Sequence, residues 1–367
     1  MTPDNENIIK DITASGLKPP EMLTLMITRG CNLFCTHCLL ECISADHASP
    51  VSKDNIERII EDFHGLGGRD ILLTGGEPLT HPDWKEILEF ACLQPGFREV
   101  GLQTNAVLMD EEIIEHIISL PLEKLVLQIS LDGARPETND LIRGKGSFDA
   151  TVKALNRLKE KGLADNIRIA FTEMRHNYDE LPDIVNLVER LRLKGLVSGT
   201  LVKIGRSLKT DGIALPTRSQ VRALIEKYKK DSSFRKIYER KGNISAIEWF
   251  KGRDTASSDV CNCIKTPFIN AAGKMYPCVM YLNDDLSVDN VHERGLRETI
   301  YKGLPKWSSL PEISAQRSTA LEKCKDCPGR AHCGGGCVGR AEAVNGTPMS
   351  VEDRCGMRRE VYFYQEQ

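Results

Sequence analysis

Cys31, Cys35 and Cys38 stand in the segment TRGCNLFCTHC with the spacing C-x3-C-x2-C. Three thiolates this close can hold three irons of a four-iron cluster and leave the fourth iron without a protein ligand. That open iron is the chemical opportunity, since a molecule carrying an amino group and a carboxylate can chelate it. A zinc knuckle completed by His37, or three unrelated core cysteines, would use the same spacing. Eight more cysteines crowd the last third of the chain: Cys261, Cys263, Cys278, Cys324, Cys327, Cys333, Cys337 and Cys355. Eight thiols suffice for two fully ligated four-iron clusters or for a pair of zinc ribbons. The other two of the 13 cysteines read differently. Cys92 falls on a helical stretch and belongs to the core, and Cys42 is a loop cysteine without a role.

The elements that must position these residues follow from periodicity. Six apolar runs, MLTLMIT, DILLTG, EVGLQTN, LVLQIS, IRIAFT and GTLVKIG, alternate with segments of helical period. The helical segments are 53–66, 83–93, 110–119, 147–161, 181–194 and one from Ser219 onward, with Ser52 as a cap. Six strand–helix units imply a parallel sheet curled by right-handed crossovers, a partial (β/α)6 barrel of the α/β class. The expected layout is an extension over 1–21, the barrel over 22–215, a charged helical linker over 216–258, and a small cysteine-rich domain over 259–367. Motifs end the strands, on the rim where such barrels place their chemistry: LTGGEPL after the second, QTN at Gln103–Asn105, SLDG at Ser130–Gly133, and Gly205 with Arg206 after the sixth. Gln103 and Gln128 lie within strands, where inward amides would line a polar cavity.

Composition narrows the function. A net charge of -3 offers no basic field for nucleic acid, and no apolar run is long enough to span a membrane. The polar start lacks a secretory signal, and thiols in a reducing cytoplasm point to metal ligation more than to disulfides. The basic residues from Lys227 to Lys241 read as a solvated helix face.

Taken together, the triad and the GGEP segment resemble the radical S-adenosylmethionine superfamily. The resemblance implies that Cys31, Cys35 and Cys38 ligate a catalytic [4Fe-4S] cluster whose open iron takes the methionyl end of S-adenosylmethionine. It further implies reductive cleavage to a 5′-deoxyadenosyl radical that abstracts a substrate hydrogen. The contacts it implies for S-adenosylmethionine are Gly75, Gly76, Glu77 and Pro78 at the amino group, Thr104 and Asn105, Ser130 and Asp132, Arg143 at the carboxylate, and Gly205 toward the nucleoside. From Cys261 onward the spacing is similar to the SPASM domain. That likeness implies two auxiliary [4Fe-4S] clusters, one on Cys261, Cys263, Cys278 and Cys337, the other on Cys324, Cys327, Cys333 and Cys355.

Members of this layout imply a ribosomally made peptide or protein as substrate and an external electron donor such as flavodoxin or ferredoxin. Only about 21 residues precede the first strand, so a leader-binding protein would be a separate partner. Val279 stands where sulfatase-maturing relatives carry an aspartate, which argues against formylglycine formation. Tyr281, Asp284 and Asp285 are nearby candidates for substrate contact. The alternatives are maturation of a small cofactor such as a modified tetrapyrrole, and a non-catalytic zinc or electron-transfer protein.

Overall fold

The computed structural model describes residues 3–256 and 261–365; the boundary expected between 258 and 259 lies outside them. Strands β1 (Met22–Thr28), β2 (Asp70–Gly75), β3 (Glu99–Thr104), β4 (Leu125–Ser130), β5 (Ile167–Glu173) and β6 (Gly195–Thr200) follow one another in parallel. After α1 (Pro3–Ala14), the helices α2 (Lys53–Gly65), α3 (Trp84–Leu93), α4 (Glu111–Ser119), α5 (Pro136–Arg143), α6 (Ser147–Glu160) and α7 (Leu181–Leu191) occupy the connections.

Alternation explains the layering, because successive strand side chains point to opposite faces. Leu23, Leu25, Ile27, Ile71 and Leu73 join Ile56, Ile59, Ile60 and Phe63 of α2 in one continuous core. The alternate positions turn inward and are more polar, with Thr24, Thr74, Gln103 and Gln128 facing a cavity. At the N-terminal ends of the strands Arg168 meets Glu99 through two hydrogen bonds of 3.0 and 3.2 Å, closing the barrel floor.

Several boundaries differ from the sequence reading. The sixth strand is Gly195–Thr200, earlier than the expected 199–205. Its register with β5 runs from Arg168↔Gly195 to Glu173↔Thr200, and the carbonyls of Thr200 and Leu201 are then taken by Arg340. The chain therefore leaves the sheet. Ser52 stands at the α2 N-cap position without a side-chain cap bond. The segment before β1 contains α1, with Ile8 and Ile12 fully buried.

Residues 218–252 form α8 (Arg218–Lys230), α9 (Ser232–Lys241) and α10 (Ser245–Gly252). Their apolar faces, including Val221, Ile225, Tyr238 and Ile247, belong to the barrel's core cluster. Among the basic residues Lys227 and Arg240 pair with Asp231 and Glu189 at 3.0 and 2.8 Å, as a solvated face does.

The cysteine-rich part joins the sheet itself. β7 (Phe268–Ile269) pairs in parallel with β1, and β8 (Met275–Tyr276) pairs antiparallel with β7. The sheet order is β8-β7-β1-β2-β3-β4-β5-β6. Among the described residues no helix is long and apolar enough to cross a membrane.

Candidate active site

The loop carrying Cys31, Cys35 and Cys38 leaves the C-terminal end of β1. Its base is closed by a short parallel bridge in which Gly30 and Cys31 pair with Ile43 and Ser44. Arg206 then holds the loop from outside. Its Nη1 donates to the Cys35 carbonyl at 2.8 Å, its Nη2 to the Cys42 carbonyl, and its guanidinium stacks 3.5 Å over Phe34. Gly205, at φ +60°, lies against the Leu39 and Cys38 carbonyls, where a Cβ would stand 2.5 and 2.8 Å away.

The thiols suit a metal cluster. Burial pushes Cys31 up to about 12 and raises Cys35, so in the bare protein both stay protonated; metal ligation is what ionises such thiols. Cys38 goes the other way, lowered chiefly by the Cys42 thiol beside it. The backbone N–H groups of Leu33 and Cys42 donate to the Cys31 and Cys38 sulfurs at 3.4 and 3.5 Å, the kind of bond that tunes an iron–sulfur cluster. Cys42, for which the sequence suggested no role, is buried, lines the cavity and bonds the Gly75 carbonyl at 3.7 Å.

A cavity of about 430 Å3 opens beside the triad. Gly75, Gly76, Thr104, Asn105, Ser130 and Arg143 line it, together with Gln103, Gln128 and Arg206. Gly76 permits the GGEP segment to press on the β1 exit, since a Cβ there would lie 2.1 Å from the Gly30 carbonyl. Glu77, Pro78, Asp132 and Gly205 stand behind the wall. Glu77 is 1% exposed, and its carboxylate accepts from Thr104 Oγ1 at 2.6 Å, the Asn105 N–H at 2.7 Å and the Leu79 N–H at 3.3 Å. Burial nevertheless pushes it up to about 7. Pro78 opens a buried turn after it.

Asp132 is fully buried and meets Arg143 Nε at 2.7 Å and His37 Nε2 at 3.2 Å. It also accepts the Thr172 N–H at 2.7 Å. Arg143 ends α5, a helix the sequence reading did not anticipate, and lines the cavity from that position. His37 is turned to Asp132, and burial lowers it to about 4.

The far wall comes from the cysteine-rich part: Phe268, Val279 and Met280, the last two directly after Cys278. Nothing in the strand pattern of the barrel announces them. Tyr281 instead bonds Glu342, and Asp284 bonds Tyr276 at 2.9 Å; neither they nor Asp285 line the cavity.

Among the described residues no three His, Cys, Asp or Glu side chains converge as a single metal ion would require. The eight distal thiols fall into two looser groups of four. Cys278 is pushed up to about 12 by burial and then by Cys337 and Cys261, and Cys263 is raised by burial and then by Cys261 and Cys278. Burial and then Cys355 and Cys327 raise Cys324, and Cys324, Cys327, Cys333 and Cys355 line one small pocket with Arg358. Between the groups lies Glu352. Burial would raise its carboxyl, yet Arg354, Arg358 and Arg340 hold it down to about 2.

Residues 25–188 match the radical SAM superfamily, and residues 261–328 match an iron–sulfur cluster-binding domain, SPASM. The subtilosin biosynthesis protein AlbA of Bacillus subtilis is 30% identical over 88% of this chain and 69% of its own. The chain belongs to the radical SAM superfamily. It is a radical SAM/SPASM enzyme, which removes the reading as a non-catalytic zinc or electron-transfer protein. Mycofactocin maturase MftC of Mycobacterium ulcerans is 29% identical, covering 92% of this chain and 88% of its own. AdoMet-dependent heme synthase of Methanosarcina barkeri is 26% identical, covering 92% and 96%. SuiB of Streptococcus suis shares the fold, with a TM-score of 0.70 at 17% identity over 98% of this chain and 81% of that one when bound to S-adenosylmethionine. The same protein is solved with the precursor peptide SuiA, with a TM-score of 0.69 at 17% identity over 98% and 80%.

Proposed function

We propose that this enzyme modifies a ribosomally made peptide or protein in the cytoplasm, with three [4Fe-4S] clusters and S-adenosylmethionine. The observation that carries the reading is the shared cavity: the triad loop, the strand ends and the Val279–Met280 segment beside Cys278 meet around one space. The relatives' names as a maturase and a bacteriocin biosynthesis protein favour a peptide, as does the precursor peptide in SuiB. A tetrapyrrole is the second reading, favoured by the heme synthase relative that this chain covers nearly end to end.

When bound, the triad cluster supplies the electron that cleaves S-adenosylmethionine to a 5′-deoxyadenosyl radical. Cys31, Cys35 and Cys38 would hold that cluster. Arg143, its Nε fixed by Asp132, offers two Nη nitrogens to the methionyl carboxylate. Gly75 and Gly76, pressed against the β1 exit, bring bare backbone to the cavity for the amino end, while Thr104, Asn105 and Ser130 present polar groups along the rim. Glu77, Pro78, Asp132 and Gly205 act as supports behind them. Leu40, Phe171, Val197, Leu201, Phe268 and Met280 wall the rest of the cavity and keep water from the radical. The two groups of four distal thiols would hold the auxiliary clusters, and Cys261 completes the first group. A flavodoxin- or ferredoxin-type donor supplies the electron from outside, and a separate leader-binding protein can deliver the substrate.

The test is metal and product analysis of the anaerobically purified protein. About twelve irons per chain with matching sulfide are expected, together with 5′-deoxyadenosine formation that Cys35→Ala abolishes. Zinc in place of iron, or cleavage that survives Cys35→Ala, sinks the proposal. Coexpression with any short peptide reading frame found beside this gene should give a Cys35-dependent mass change in the peptide, whereas a mass change in an added iron porphyrin favours the second reading.

A further inference from the structure

The two groups of distal thiols are joined by three glycines: Cys333 belongs to one, Cys337 to the other, and Gly334, Gly335 and Gly336 lie between. All three glycines adopt positive φ, +58°, +85° and +82°, a conformation that side chains resist. The bridge is gripped at Gly335, Gly336 and Cys337. Fully buried Arg317 donates from Nη2 to the Gly335 carbonyl at 2.6 Å. At Gly336 a Cβ would stand 2.7 Å from the carboxyl carbon of Glu352. The Cys337 N–H then donates to Glu352 Oε2 at 3.1 Å.

Glu352 is almost wholly enclosed. Its oxygens accept from Arg358 Nε at 2.5 Å and Arg354 Nη2 at 2.7 Å, and Arg340 Nε approaches to 3.9 Å. Arg354 immediately precedes Cys355, a thiol of the second group, and Arg358 lines the pocket of that group. Arg340 carries the same network onward to the Thr200 and Leu201 carbonyls on the cavity wall, at 3.1 and 2.6 Å. A glutamine or an apolar side chain could fill this space without the desolvation cost of an ion. What only the ion provides is a field, and in a weakly screening interior that field reaches both groups.

We propose that Glu352 is a positioning and tuning residue shared by both auxiliary clusters, a fixed negative charge on the glycine bridge that lowers the electron affinity of each. The inference rests on the three-cluster reading above. The hydrogen bond to Cys337 sets the geometry of the bridge, and the charge opposes arrival of an electron on either side of it. Arg354 and Arg358 moderate the same field.

Redox titration of the full-length reconstituted enzyme, followed by electron paramagnetic resonance, tests the assignment. Glu352→Gln keeps shape and removes charge, so both auxiliary midpoint potentials should rise while that of the triad cluster stays put. Glu352→Asp should return both toward the wild type. Arg354→Gln, a partner whose side chain reaches solvent at 14% exposure, should move both potentials downward and serves where Glu352→Gln fails to load iron. A purely structural role would lose or broaden signals without moving two potentials in one direction. Unmoved auxiliary potentials in loaded variants, or a shift confined to the triad cluster, overturn the proposal. A wild-type protein holding only about four irons per chain would instead overturn the three-cluster reading, so the two failures are distinct.

Discussion

At the residue scale, the chemistry-bearing side chains divide into those that face the cavity and those that hold them. Arg143 is of the first kind, and Lys cannot replace a fork already fixed at Nε by Asp132. Arg143→Lys should weaken S-adenosylmethionine binding by roughly 10–150-fold, the value of a charge-assisted pair at about 1.5–3 kcal/mol, as read by equilibrium binding to the reconstituted enzyme. Glu77 is of the second kind, and its motif could not reveal this: GGEP reads the same whether the carboxylate faces a ligand or, as here, takes three donors from neighbouring backbone and Thr104. Its titration gives a test. Burial raises the folded pKa to about 7, above the ordinary glutamate value, so the folded state binds the extra proton. Stability is then greatest below about pH 4.5 and falls as pH rises through 7, by about 3 kcal/mol in all. Urea unfolding at pH 5 to 8 should show this decline in the wild type and a flatter profile in Glu77→Gln. Equal slopes would place the titration elsewhere.

Elements were legible where the period was long and regular. The five strands from β1 to β5 and the helices α2, α3, α4, α6 and α7 emerge from alternation and 3.6-residue spacing, because each buries one face against the same core; α5, the short helix that carries Arg143, does not. β6 was misplaced by four residues because LVKIG is as apolar as GLVSG; the choice is made by Arg340, a residue about 140 positions away that captures the carbonyls at the strand's end. α1 offers only Ile8 and Ile12 to its core, too little periodicity to stand out from a polar tail. The contact between the β1 exit and the GGEP segment is the element-level feature on which the triad depends. Gly76→Ala would drive a Cβ into the Gly30 carbonyl and to 2.8 Å from Cys31 Cβ. It should cost about four irons per chain and all 5′-deoxyadenosine formation, while the spectroscopic signals of the distal clusters persist. Gln103 and Gln128, register partners on the cavity floor, should behave differently. Changing both to Leu should leave S-adenosylmethionine cleavage without substrate intact and raise KM for the modified peptide, because both positions face the cavity away from the triad loop's own bonds.

At the scale of the whole molecule, two residues of β7 and two of β8 are too short to carry a period, so the sequence presents the cysteine-rich part as a separate domain while the structure continues the barrel sheet into it. A second seam joins them. Trp249 of α10 is packed under the guanidinium of Arg358 at 4.2 Å and near that of Arg354 at 5.3 Å, the two arginines that hold Glu352. Arg222 of α8 adds an ion pair to Glu360 at 2.6 Å. With a shared sheet, a shared cavity wall and this seam, neither part has a complete surface of its own, and the chain should lose its fold in one cooperative step. Far-ultraviolet circular dichroism and the visible absorbance of the clusters should therefore report coincident denaturation curves. Trp249→Ala removes a large side chain from the seam and the two cation–π contacts with it, a loss of about 3–5 kcal/mol for a buried aromatic. If the parts are coupled as the seam implies, this substitution shifts both curves together. A shift in the visible absorbance alone, with the circular dichroism curve unmoved, would show that the barrel holds its fold independently and that the sheet extension is a contact without energetic consequence.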